Sequence, residues 1–157
     1  MIHRPSPHWS GRDGHDVSMI VVHGDEGASE EGTLSWLEDE RSEVSYHYLI
    51  GRDGEVYRIV PEDRKAWHAG RSHWKGREID GSVNPISIGV AFANDGTELY
   101  RDAQMQIGGE LIADIMARYR IPPADVRGHF EVSPGRKSDP WDHFPWPALF
   151  AAIGIHR

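Results

Sequence analysis

The chain has 157 residues, 38% hydrophobic and 27% charged, enough for one compact domain with a real core and too few for a multidomain assembly. Twenty-five Asp and Glu against 17 Lys and Arg leave a formal charge of −8, which excludes the positive footprint of a nucleic-acid binder. Cysteine is absent, so disulfides and thiolate ligands are excluded and any metal must be held by His, Asp or Glu, of which the ten His are the best donors.

Mean hydropathy is −0.57, and no apolar run approaches the roughly 20 residues of a bilayer span, so no membrane partner is expected. Residues 1–7 lack the apolar stretch of a secretory signal, and work outside the cytoplasm would need a separate release route. We expect residues 1–157 to form a single domain, with a polar, Gly- and Pro-rich wrapping arm at 1–17 and a core at 18–150.

In chain order, Ser18 to His23 is a short β-branched run closed by Gly24, read as a buried strand with His23 at its C-terminal end. Residues 29–41 read as an amphipathic helix with an acidic start that suits the helix dipole. Ser45 to Ile50 and Glu55 to Val60 form a hairpin across Gly51-Arg52-Asp53-Gly54. Alternation sets Tyr46, Tyr48 and Ile50 on one face and His47 and Leu49 on the other, so Tyr46 and His47 share a cleft only if the strand is near its end there. Residues 66–85 have no period and are rich in Gly, His, Trp and Arg, which predicts a long functional loop. Ile86 to Phe92 is the best central strand. From Arg101 to Tyr119 the apolar positions recur near 3.6, marking the longest helix, stopped by Pro122-Pro123. A short strand at Val126, the segment Gly128 to Pro140 and a short helix from about Pro145 follow. Interleaved strands and helices with one hairpin predict an α/β (α+β mixed) fold, a central mixed sheet flanked by helices.

Three potential ligands sit where such a scaffold places chemistry: His23 at a strand end, His129 after the strand that follows the long helix, and Asp139 in a loop stiffened by Pro134 and Pro140. Two imidazoles and a carboxylate suit a catalytic zinc, which keeps its fourth position for water. Spacing alone leaves each residue an ordinary alternative, since an isolated His is commonly a hydrogen-bonded surface group and an Asp before Pro commonly a turn.

Val22-His23, Ser45-Tyr46-His47-Tyr48, Trp67-His68-Ala69-Gly70, Asn84-Pro85-Ile86-Ser87-Ile88-Gly89-Val90, and Gly128-His129 through Lys137-Ser138-Asp139-Pro140 stand in that order over residues 18–150. Together they resemble the zinc-dependent N-acetylmuramoyl-L-alanine amidases of type 2, a superfamily that includes phage lysins, bacterial anhydromuropeptide amidases and animal peptidoglycan recognition proteins. The resemblance implies a central mixed sheet with a groove for peptidoglycan, and hydrolysis of the amide between N-acetylmuramic acid and L-alanine. It implies Zn2+ on His23, His129 and Asp139, with Lys137 and Tyr46 as catalytic residues. His68, Trp67 and His47 are expected to bind substrate, although alternation makes a packed role for His47 as good a reading. Arg71, Lys75 and Arg77 are either a site for substrate carboxylates or a solvated face.

Three positions depart from the pattern. Ala91 stands where bacterial relatives carry a Glu that can act as base, Asp139 stands where tyrosine-bearing relatives commonly use Cys, and Trp141 stands where a Gly is common. Small size and the lack of a separate wall-binding segment point to a phage or prophage endolysin, a monomer made in the host cytoplasm and acting on the wall after release. A muropeptide-recycling enzyme would instead stay in the cytoplasm. The alternative in another class is a non-catalytic peptidoglycan-binding module, which usually lacks the third ligand that Asp139 supplies. An unrelated zinc peptidase is disfavoured because the chain has no His-Glu-x-x-His helix.

Overall fold

The computed structural model describes residues 1–155. Its main sheet has six strands: β1 (Ile2–His3), β3 (Met19–Gly24), β4 (Tyr48–Ile50), β5 (Val56–Arg58), β7 (Ser87–Phe92) and β8 (Val126–Gly128), in the order β1-β5-β4-β7-β3-β8. Only β4 and β5, the expected hairpin, pair antiparallel; the other four pairings are parallel. The sheet is therefore mixed, with helices as its connections, as read from the sequence. The two hairpin strands are shorter than expected, because Tyr46 and His47 lie outside the regular ladder.

The N-terminal segment, residues 1–17, supplies two short strands. Its first residues add β1 to the sheet edge beside β5, and β2 (Trp9–Gly11) pairs antiparallel with β6 (Arg64–Ala66) in a small second sheet. Helix α1 (Glu30–Glu38) starts at Ser29, whose hydroxyl accepts from the Gly32 amide as an N-cap. Helix α2 (Asp102–Tyr119) is the longest, and α4 (Trp146–Ile153) packs across it. Two adjacent glycines in α2 are the reason both neighbours approach closely. A Cβ at Gly108 would stand 2.3 Å from the Phe92 ring, and one at Gly109 would stand 2.4 Å from Ala152 Cβ of α4. The segment after Gly128, to which the sequence assigned no element, begins with a one-turn helix, α3 (His129–Val132).

Strand alternation divides the core. Ile20, Val22, Ile88, Val90, Phe92, Tyr48 and Ile50 pack against α2 and α4. Met19 and Val21 point to the opposite face, with Val132 and the 69–86 loop. His23 has their parity, so it faces away from α2. No helix among the described residues is long and apolar enough to cross a membrane.

Glu62 fastens α2 to the sheet. It accepts from the hydroxyls of Tyr48 and Tyr119 and pairs with both terminal nitrogens of Arg118, at 2.7 and 2.9 Å. Burial alone would raise its pKa, but these donors hold it at about 2, against an ordinary 4.5. A depressed folded-state value gives stability that is complete above the unfolded pKa and is lost as pH falls from about 4.5 toward 2. Glu62→Gln is expected to lower stability by about 2 kcal/mol at neutral pH, with the gap to the native chain closing across that acid window. Urea unfolding of both proteins at several pH values checks it; a gap independent of pH would contradict it.

Candidate metal centre and active site

β3 and β8 run parallel side by side with Val22 opposite Gly128, so the residues that follow, His23 and His129, leave neighbouring strands at the same, carboxyl end. This is where open α/β sheets place their ligand sites. Asp139 reaches them from the loop beyond α3, whose return is fixed by Phe130 N–H donating to the Asp139 carbonyl at 3.1 Å. His23, His129 and Asp139 each offer a ligand atom, and these atoms lie within 4.8 Å of one another. His23 is 1% exposed and His129 4%, while the Asp139 side chain keeps 12%.

The donor set fits a cation. His129 Nε2 lies 3.0 Å from the Ala69 carbonyl, which can only accept, so Nε2 carries the ring proton and Nδ1 keeps its lone pair. That lone pair faces Asp139 Oδ1 at 3.1 Å, and His23 Nδ1 faces Asp139 Oδ2 at 3.3 Å. Acceptors directed at one another in a buried site need a positive charge between them. Burial drives the His23 pKa down to about 4, and repulsion from His129 adds to it. Burial opposes ionisation of Asp139, but a donor or positive charge at the imidazole positions facing it holds its carboxyl well below the usual range. A neutral imidazole beside an ionised carboxylate is what a zinc ion would take as ligands.

The cleft above the trio has a volume of about 240 Å³. Tyr46 and Lys137 both line it, as do His68 and Trp67. Tyr46 packs with Leu49 and Ala91 rather than with Tyr48 and Ile50, and its ring centre is 5.1 Å from that of His23. The alternation breaks because the regular strand begins only at Tyr48, so Tyr46 and His47 lie on the same side of the sheet. Burial first, then the charges of Asp139, Asp25 and Glu26, push the Tyr46 phenol far above its ordinary pKa, so it stays protonated. Lys137 is exposed, and its ammonium has no ion-pair partner among the described residues. Its charge also bears on His23.

His47 is not a cleft residue. It is fully buried; its Nδ1 accepts from the Gly89 amide at 2.9 Å and its Nε2–H donates to the Arg64 carbonyl at 2.9 Å. It therefore ties β7 to the 61–66 turn. His68 lies beneath the cleft, bonded to His23, and Trp67 sits at its rim with its indole N–H donated to Ser10 of the arm. The basic group at 71–77 does not gather over the site. Arg77 pairs with Asp125 at 2.7 Å, and Lys75 lies over the Trp74 ring.

Several cleft residues carried no sequence signal: Asp25, Glu26, Glu43 and Arg136. The turns that bring them there hold Glu26 and Glu43 at positive φ, which no periodicity encodes. Asp25 spends both oxygens on Thr33 and the Asn94 amide. Arg136 spends its guanidinium on the Ala69 and Arg71 carbonyls. Two motifs now have a physical reading as well: Asn84 Oδ1 accepts from Ala69 N–H at 2.9 Å, which holds the carbonyl that orients His129.

Residues 13–142 match the N-acetylmuramoyl-L-alanine amidase family. The 1,6-anhydro-N-acetylmuramyl-L-alanine amidase AmpD of Salmonella typhimurium is 36% identical over 169 aligned positions, covering 96% of this chain and 89% of that protein. A crystal structure of an AmpD selenomethionine derivative superposes with a TM-score of 0.80 at 32% identity, over 97% of this chain and 93% of that one. The amidase AmiD from E. coli, solved with anhydro-N-acetylmuramic acid-L-Ala-D-gamma-Glu-L-Lys, gives a TM-score of 0.79 at 32% identity, over 94% of this chain and 60% of that one. Fold, converging side chains and likeness agree, and the chain belongs to the type 2 N-acetylmuramoyl-L-alanine amidases.

Proposed function

We propose that this amidase is zinc-dependent and cleaves the amide joining N-acetylmuramic acid to L-alanine in soluble anhydromuropeptides. The carrying observation is the convergence of two imidazole Nδ1 atoms on the Asp139 carboxylate within a buried trio. In this reading His23, His129 and Asp139 hold the metal. When bound, zinc would acidify a water and polarise the scissile carbonyl. Lys137, an unpaired ammonium at the cleft, stabilises the negative charge that develops on the carbonyl oxygen. The Tyr46 hydroxyl, protonated and at the cleft wall, orients the attacking water by a hydrogen bond. His68 and Trp67 support the cleft at its floor and rim. The complete trio disfavours a non-catalytic binding module.

The choice of soluble fragments rests on the AmpD relatives, whose name specifies the 1,6-anhydro substrate, and it carries with it the cytoplasmic recycling role. An endolysin would attack intact wall. The purified protein is therefore given anhydromuropeptide and, separately, purified sacculi, and the products are identified by mass spectrometry. Free stem peptides beginning with L-alanine are expected from the first at a much higher rate. Faster release from sacculi would favour the endolysin. Elemental analysis should find one zinc per chain, with activity lost to chelator and regained with zinc; full activity in metal-free protein would overturn the metal assignment.

A further inference from the structure

His23 can offer either ring nitrogen to a metal. Its Nδ1 faces Asp139, while its Nε2 lies 2.9 Å from His68 Nδ1. One proton sits between those two imidazole nitrogens, and the next two hydrogen bonds settle which ring owns it. His68 Nε2 is 3.0 Å from Ser87 Oγ, and Ser87 Oγ is 2.7 Å from the Val83 carbonyl. A carbonyl only accepts, so the single hydroxyl proton of Ser87 points to Val83. Ser87 must then accept from His68, whose proton is on Nε2 and whose lone pair is on Nδ1. His68 Nδ1 in turn accepts from His23 Nε2–H.

We infer that this directed chain, from His23 through His68 and Ser87 to the Val83 carbonyl, holds His23 in the Nε2–H tautomer and so presents its Nδ1 lone pair to the metal. Ser87 and His68 are thus positioning residues, a step that rests on the metal reading above. Val83 and Ser87 are fully buried, and His23 is 1% exposed and His68 4%, with both rings at the wall of the cleft. The seat of His68 is built by the same strand that supplies the acceptor: a Cβ at Gly89, two residues beyond Ser87 on the same face of β7, would stand 2.5 Å from His68 Cγ. The His68 ring lies where any larger residue at position 89 would displace it. His129 reaches the same tautomer by one bond to Ala69, so both imidazoles are oriented from the 67–70 and 83–89 segments. A hydrogen bond from the second ring nitrogen of a metal-binding His to a fixed acceptor is the usual way a tautomer is set. Here the acceptor is itself a histidine, and its own polarity has to be set two residues further back.

The test uses the metal-free protein and Zn2+ alone. Nitrogen-15 NMR of the native zinc-free chain at neutral pH is expected to show His23 and His68 both protonated at Nε2. Zinc affinity is then measured by competition with a chromophoric chelator. Ser87→Ala and His68→Ala are expected to weaken binding by about 10- to 100-fold. His68→Asn, whose Oδ1 supplies an acceptor where Nδ1 stood, is expected to bind within about threefold of the native chain. Thermal unfolding of the three zinc-free variants is the control, because a merely structural role would lower stability without rescue of affinity by Asn. A His23 proton on Nδ1 in the native spectrum, or native zinc affinity in folded Ser87→Ala and His68→Ala, would overturn the inference. Should the native chain bind no zinc, the metal reading fails while the NMR spectrum still decides the tautomer.

Discussion

Asp139→Ala is expected to reduce hydrolysis to background and to strip the chain of zinc while leaving its fold intact. The carboxylate faces both imidazoles, at 3.1 and 3.3 Å, and without it only two protein donors remain where a catalytic zinc site uses three. Besides the imidazoles, that side chain meets the backbone through a single 3.3 Å bond accepted from the Gly24 amide among the described residues. Asp139 belongs to none of the core clusters, and the loop closure next to it uses its backbone carbonyl, which the substitution leaves in place. Asp139→Cys is the sharper companion. A thiolate is a good zinc ligand, so retained zinc and partial turnover are expected. Metal analysis, circular dichroism and turnover of a soluble muropeptide are measured on each variant. Native activity in the Ala protein would remove Asp139 from the metal assignment.

Lys137→Ala is expected to lower turnover by about 10²- to 10³-fold, the scale for losing one donor to a developing oxyanion, with little change in substrate binding. Its ammonium lacks an ion-pair partner among the described residues, so the loss reports on catalysis and not on a broken structural pair. Tyr46→Phe is expected to cost roughly 10²-fold with zinc content unchanged, as for a positioned proton-handling group. The phenol is the stronger candidate because Ala91, fully buried in the same cluster as Tyr46, has nothing with which to move a proton. Ala91→Glu should bring no gain, since it buries a charge in that cluster. Steady-state kinetics with metal analysis decides among these outcomes. Near-native turnover in Tyr46→Phe would show that the ring only packs, and would turn attention to Glu26 and Glu43, the exposed carboxylates at the cleft.

Local pattern was enough for the elements that carry the site. The β-branched run ending at His23, the 3.6-residue period over α2 and the Gly-bounded hairpin each record a preference that a segment expresses through its own side chains, and β3, α2 and the β4–β5 pair follow them. The ordered motifs made the type 2 amidase resemblance legible, and with it the trio His23, His129 and Asp139. What only the tertiary structure decided involves partners far apart in the chain. The sequence left His47 open between a cleft and a packed role, and its two ring nitrogens are held by Gly89, 42 residues away, and Arg64, 17 away. The one-turn helix at His129 and the left-handed turns at Glu26 and Glu43 answer to loop closure, which has no period. The proton order along His23, His68 and Ser87 depends on a single carbonyl at Val83. A hydrogen bond takes its direction from its neighbours in space, so the sequence could name those residues without assigning their roles.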